Sequence, residues 1–193
     1  MNVNQLFLTR YDALYNFWLA IIWEEVPQDL LRQRPDPHVN SIAWILWHLT
    51  RVEDSALNRF IDDQPQVLDD GGWMRRMNVP LRHNGNGMTF PEVDDLSQHV
   101  DLAALRGYSN AVQARTREII DRLDPDSLDA VLEEERLRLV LFDEGLAGSN
   151  PEGLLENYMG WTKGMCLMNH GLTHSFHHIG EIDVIAGLLG LET

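Results

Sequence analysis

Three histidines recur at every fourth residue, His170, His174 and His178, within Asn169-His170-Gly171-Leu172-Thr173-His174-Ser175-Phe176-His177-His178-Ile179-Gly180-Glu181. On a helix they form one stripe, each about a turn, or roughly 6 Å at Cβ, from the next. Two imidazoles at i and i+4 on one face are a standard way to hold a transition metal, as in the zinc metalloprotease helix. The acidic residue that lies between the histidines of that motif is absent here, so the protease reading fails. Imidazole suits Zn, Ni, Cu or Fe, and a third ligand has to come from elsewhere in the chain. His177 points about 100° away from His178 on an ideal helix and falls outside the same site. Histidines so spaced also occur on solvated faces or as hydrogen-bonded core residues, and the rest of the chain has to decide between these readings.

The partner for the stripe is sought among residues 41–60. Asn40 or Ser41 is the N-cap there, and Ile42, Ile45, Leu46, Leu49, Val52, Ala56 and Phe60 lie mainly at core-facing intervals. His48 stands in Trp44-Ile45-Leu46-Trp47-His48-Leu49-Thr50-Arg51-Val52-Glu53 and shares a face with Trp44, Val52 and Ser55. A histidine among such neighbours needs its ring nitrogens satisfied if it is buried. It becomes a ligand candidate because the later stripe lacks a third partner.

The remaining elements follow from the same periodicity. Residues 4–25 carry Leu6, Tyr11, Leu14, Phe17, Trp18, Ile21 and Ile22 at three- and four-residue steps, with a single turn at Gln28 to Leu31 after Pro27. Asp101 caps a helix over 101–123, and a helix over 161–189 carries the histidines and ends at Gly190. Between these, Thr89 caps a helix with Pro91 and Glu92 in its first turn, Ser127 caps the segment after Asp124-Pro125-Asp126, 137–142 reads as helix, and Asn150-Pro151 starts a short helix to about Met159. Gly164, Gly171, Gly180 and Gly187 inside the last helix call for close packing or room for a bound group, since each costs about 1 kcal/mol of propensity relative to alanine. Cys166, one turn before His170, reads as a small buried hydrophobe. The fold class is all-α.

From Asp62 to Phe90 the periodicity disappears, and Asp69-Asp70-Gly71-Gly72 and Asn84-Gly85-Asn86-Gly87 are turn signals. A long segment of this kind is expected to be either a surface excursion pinned by Trp73 or a wall over a pocket. Arg75, Arg76, Arg82 and His83 place basic groups in it.

Composition sets the outer bounds. The 193 residues, 44% of them hydrophobic, suit one domain over 1–193 with a sizeable core. The net charge of −15 and pI near 4.7 argue against nucleic acid and against an anionic membrane surface as partners. A single cysteine excludes an intramolecular disulfide framework and fits a reducing cytoplasm. The sequence shows no apolar run long enough to span a bilayer and no basic-then-apolar leader. A Gly-rich phosphate loop, a Glu-x-x-His di-iron signature and a Gly-x-Ser-x-Gly elbow are all absent from it.

Trp44-Ile45-Leu46-Trp47-His48-Leu49 with Glu53, followed by His174-x3-His178-x-Gly180-Glu181-Ile182 and Leu188-Leu189-Gly190, resembles the DinB-like (DinB/YfiT-like) superfamily, in a longer branch. The resemblance covers nearly the whole chain and implies a four-helix bundle running up, down, down, up, with 62–90 as an added loop. It also implies a homodimer and a mononuclear metal site on His48, His174 and His178, holding a divalent ion such as Zn or Ni, with Fe or Mn as further candidates. His170 has no role in the pattern; it is a fourth ligand, an outer hydrogen-bonding partner or a pocket wall. Glu181, one turn past His178, is expected either to orient a ligand or accept a proton or to stand as a solvated or capping charge, and Trp44, Trp47, Arg51 and Trp73 are expected to line a small-molecule substrate pocket. The superfamily's metal-dependent transferases use low-molecular-weight thiols such as bacillithiol or mycothiol, so thiol transfer to a small electrophile is the expected function. Metal-dependent hydrolysis and a non-enzymatic metal-binding or stress-response module are the alternatives.

Overall fold

Apolar spacing of three and four residues produces four long helical runs, and their packing places the histidines. The computed structural model describes residues 1–191, in which every regular element is a helix; one isolated antiparallel bridge joins Val131 and Thr162. Run α1 covers residues 3–25, α2 residues 42–61, α3 Leu102–Arg122 and α4 residues 163–188. These bounds agree with the apolar periodicity to within two residues. The caps agree as well: the Ser41 hydroxyl accepts from Trp44 N at 3.0 Å, and the Asp101 carboxylate accepts from Ala104 N at 2.8 Å. Each satisfies an N–H that the first helical turn leaves free. Thr89 and Glu92 form a reciprocal capping box before Phe90–His99. Residues 134–143 are helical, and Asn150 caps Pro151–Tyr158. Asp124, rather than Ser127, caps the short 3-10 helix Pro125–Asp129, because its carboxylate reaches Asp126 N at 3.0 Å.

Helix α2 is the spine. Every residue from Ile42 to Ser55 is buried, and the run packs on both α3 and α4. Two carboxylates are enclosed on it. Glu53 accepts from the hydroxyls of Tyr11, Tyr15 and Thr116, and burial pushes its carboxyl up to about 7. Asp54 contacts Arg51 at 3.3 Å and accepts from Tyr108 and from the backbone N–H groups of Val67 and Leu68.

The expectation that Trp73 pins the excursion 62–90 is met, and those last two bonds add a second anchor. The segment carries two short helices, Val67–Asp70 and Trp73–Arg76, and Asp54 satisfies the N-terminus of the first. Trp73 packs at 5.7 Å from Tyr108 and against Gly107 of α3, with the Arg76 guanidinium over its ring. The excursion is pinned by tertiary hydrogen bonds, which apolar periodicity does not encode.

A π-helical segment interrupts or extends three of the long runs: Leu14–Leu19 in α1, Ala56–Ile61 in α2 and Asn169–Thr173 in α4. The last of these bears on the histidine stripe. A π turn takes about one residue more than an α turn, so residues four apart across it do not line up as on an α-helix. His170 lies inside it, and the α-helical His174–Leu188 follows it directly. Gly171, inside the segment, has Phe7 of α1 against it; a Cβ there would come within 2.7 Å of that ring. Gly164 similarly meets Leu128, whereas Gly180 and Gly187 face open space, so close packing accounts for two of the four glycines in this run.

Candidate metal centre

His48 on α2 and His174 and His178 on α4 each offer a ring nitrogen, and the three atoms lie within 4.8 Å of one another. The α-helical spacing after residue 174 puts two rings on one face, 4.6 Å apart at their centroids. Packing of α2 on α4 supplies the third, whose centroid is 5.0 Å from His174 and 5.2 Å from His178.

Two of the rings are oriented by hydrogen bonds on the side away from the cluster. His48 Nδ1 donates to the backbone carbonyl of Asn84 at 2.5 Å. His178 Nδ1 donates to Glu181 Oε2 at 2.7 Å, and Asn40 also reaches that carboxylate, at 3.5 Å. Both bonds leave Nε2 bare and turned inward. This is how protein metal sites fix the tautomer of a ligating imidazole. Hydrogen bonding from His178 holds the Glu181 carboxyl below its ordinary range, so it stays an acceptor. Burial depresses His48 to about 4; burial and the neighbouring imidazoles depress His174 to about 2. Neutral imidazole is the ligating form, and three convergent rings fit a divalent transition ion.

The Asn84 carbonyl was not legible as a site group, although Asn84-Gly85 was legible as a turn. Gly85 has φ +95°, and a Cβ on it would stand within 2.9 Å of both Trp44 and Trp47. Only glycine lets the turn lie flat on the two indoles. Trp44 in turn stacks on His48, with centroids 4.7 Å apart and planes 9° from parallel, and its Nε1 donates to Met88 Sδ at 3.3 Å. The segment 62–90 therefore reaches the site from behind His48, through a backbone carbonyl.

The remaining expected residues fall in different places. His170 is buried within the π segment and lies outside the three-ring group, so it is not a fourth ligand there. His177 is exposed and also outside it. Of the four expected pocket residues, Trp44 touches a candidate ligand. Trp47 is fully buried, edge-on to His83. Trp73 anchors the excursion to α3. Arg51 is enclosed and committed to Asp54, Tyr108 and the Arg82 carbonyl, so its charge is spent inside the core and does not face a substrate. Burial pushes the Cys166 thiol up to about 12, as suits a packing residue.

An all-helical fold with three inward-facing histidines on two packed helices defines the class, and the comparisons agree with it. The model of the DinB superfamily matches residues 18–182, and the chain belongs to that family. No curated protein matches the sequence. Among solved structures, a conserved protein from Enterococcus faecalis shares the fold, with a TM-score of 0.72 at 17% identity over 97% of each chain. No described helix is long and apolar enough to cross a membrane.

Proposed function

We propose that this protein is a metal-dependent transferase that joins a low-molecular-weight thiol to a small electrophile, with His48, His174 and His178 holding one divalent ion. The observation that carries the reading is the ligand count. Three imidazoles converge, and no fourth His, Cys, Asp or Glu joins them among the described residues, which is the donor set of an open site rather than a closed structural one. A divalent ion bound there would make a coordinating thiol ionise near neutral pH. His48 is almost wholly buried whereas His174 and His178 are partly exposed, so substrates reach the cluster from the α4 side. Trp44 supplies the flat apolar wall behind His48. In the reaction the thiol proton leaves to solvent, sulfur bonds to the electrophilic carbon, and the leaving group departs with its electron pair. Glu181 is committed to orienting His178, so neither reaction takes its base from that carboxylate.

The test is conjugation of a panel of small thiols to 1-chloro-2,4-dinitrobenzene by metal-loaded protein, beside the His48→Ala variant. Saturable, metal-dependent conjugation that the variant loses is the expected result. Conjugation no faster than that of free thiol, with metal-dependent ester cleavage instead, would replace the transferase by a hydrolase. Neither activity would leave a non-enzymatic metal-binding module.

On the same reading the four runs form an up, down, down, up bundle that pairs into a homodimer. Support for pairing comes from Phe17, Trp18 and Ile21 of α1 and Val184 and Leu188 of α4, which are large apolar side chains left exposed. Sedimentation is expected to show a dimer at micromolar concentration and a monomer for Trp18→Glu; a wild-type monomer would end the proposal.

A further inference from the structure

Lys163 is the only lysine in a sequence with 30 acidic residues. It opens α4, where its half-buried side chain lines a pocket of about 250 Å³ together with Arg59 and Arg136. Backbone pairing fixes the walls. Leu132 N donates to the Trp161 carbonyl at 2.8 Å and Lys163 N to the Ala130 carbonyl at 2.9 Å, so residues 130–132 run antiparallel to 161–163. Arg59 to Ile61, at the end of α2, complete the pocket. The Lys163 ammonium donates to the Ile61 carbonyl at 3.0 Å, which leaves two of its three N–H groups without a protein partner among the described residues.

One carboxylate joins the two arginines. Asp63 reaches Arg59 Nη1 at 3.4 Å through Oδ1 and pairs with Arg136 through Oδ2. Its backbone has φ +56°, one of two positive values at non-glycine positions among the described residues, and its side chain is 61% exposed. The left-handed region is disfavoured for a residue with a Cβ, although Asp and Asn adopt it more readily than most. The group that occupies the arginines is thus carried on a disfavoured, exposed turn, in an ion pair of the kind that contributes little. Arg59 keeps Glu144 as a second partner on Nε and Nη2, which holds its guanidinium in place without Asp63. With Arg59 balanced in this way, displacing Asp63 leaves Arg136 and Lys163 against Glu133, a net positive pocket. Phe60, Val131 and Leu132 give it an apolar lining.

We propose that this pocket binds a small organic carboxylate, which takes the place of Asp63 on Arg136, Arg59 Nη1 and the Lys163 ammonium and rests its apolar body on Phe60, Val131 and Leu132. A carboxylate is the chemistry already seated on the two guanidiniums, whose planar forks match it. Asp63 is the built-in competitor, and its displacement opens the site. None of the three candidate metal ligands lines the pocket, so the inference stands apart from the metal reading.

Selective 13Cε labelling of lysine gives a single lysine signal in the full chain, and that signal reports on the pocket. Titration with benzoate is expected to shift it saturably, benzyl alcohol to leave it unmoved, and inorganic phosphate to act at least about tenfold more weakly. Asp63→Asn tolerates the left-handed backbone and removes the charge; it is expected to bind benzoate about twofold to fivefold more tightly, the gain that losing an exposed ion pair allows. Arg136→Gln is expected to bind at least about tenfold more weakly. A benzoate shift in Asp63→Asn but not in wild type supports the competitor role. No saturable shift in either protein overturns the proposal. Benzyl alcohol binding as well as benzoate would leave an apolar crevice, and phosphate binding as well would leave a general anion patch; either overturns it. Benzoate binding by Asp63→Asn no tighter than wild type overturns it too. Should a variant fail to fold by circular dichroism, the three ligands on wild-type protein decide it.

Discussion

Alanine at His174 or His178 is expected to abolish stoichiometric binding of a divalent ion, and His177→Ala to leave it intact. The loss should exceed the roughly 10–100-fold that removal of an outer hydrogen-bonding partner costs, because a donor atom itself disappears. The α-helix from His174 fixes two donors on one face, and losing either leaves two imidazoles on two different helices with no carboxylate in the group to replace it. His48→Ala should be as severe. His178 carries a further expectation through Glu181: Glu181→Gln keeps an oxygen acceptor for Nδ1 but removes its charge, so affinity should fall less than for His178→Ala. Elemental analysis of untagged protein, followed by isothermal titration with Zn(II) and Ni(II), checks all of these. Wild-type binding in His174→Ala, or equal loss in His177→Ala, would show that the ion sits elsewhere.

This set of residues was readable in the sequence because its geometry is mostly local. His174 and His178 are four apart on uninterrupted α-helix, and helical periodicity places them without reference to the rest of the chain. His48 needed the resemblance, since nothing in residues 41–60 alone says which helix will lie beside them. His170 shows where equal spacing misleads. It shares the four-residue step, but a π turn intervenes, and no propensity argument locates such a turn. Arg51 and Trp73 show a different failure. Both residue types suit a substrate pocket, yet each is consumed by a tertiary partner, Asp54 for one and Tyr108 with Gly107 for the other. The carbonyl of Asn84 lies beyond such reading altogether, because a backbone group leaves no mark on residue identity; only the Gly85 turn hints at it.

Asp54→Ala is expected to be the most damaging single change outside the metal centre. Its carboxylate is fully buried and serves five partners: the Arg51 guanidinium, the Tyr108 hydroxyl, the Asn58 amide and the N–H groups of Val67 and Leu68. Burial dominates the environment strongly enough to raise its carboxyl above the ordinary range despite Arg51 beside it. The pair therefore adds little net stability as an ion pair, but breaking it leaves an uncompensated buried charge, which costs about 3–5 kcal/mol. Against a total of about 5–15 kcal/mol for a typical domain, that is a large fraction. Two contributions can be separated. If the orphaned Arg51 charge dominates, adding Arg51→Met to Asp54→Ala should restore most of the urea midpoint. If the orphaned backbone donors of Val67–Asp70 dominate, the double variant stays as unstable as the single one, and Asp54→Asn, which keeps one acceptor oxygen, is the milder lesion. The first outcome is the one expected from that magnitude, and the part not restored is the loss of the acceptor for two N–H groups at the start of the short helix. It carries a consequence at a distance. The same excursion delivers the Asn84 carbonyl to His48, so Asp54→Ala should also weaken zinc binding at temperatures where the protein is still folded, with new proteolytic nicking between 62 and 90. Unchanged affinity together with nicking would mean that the Gly85 turn is held by Trp44 and Trp47 alone, independently of the anchor.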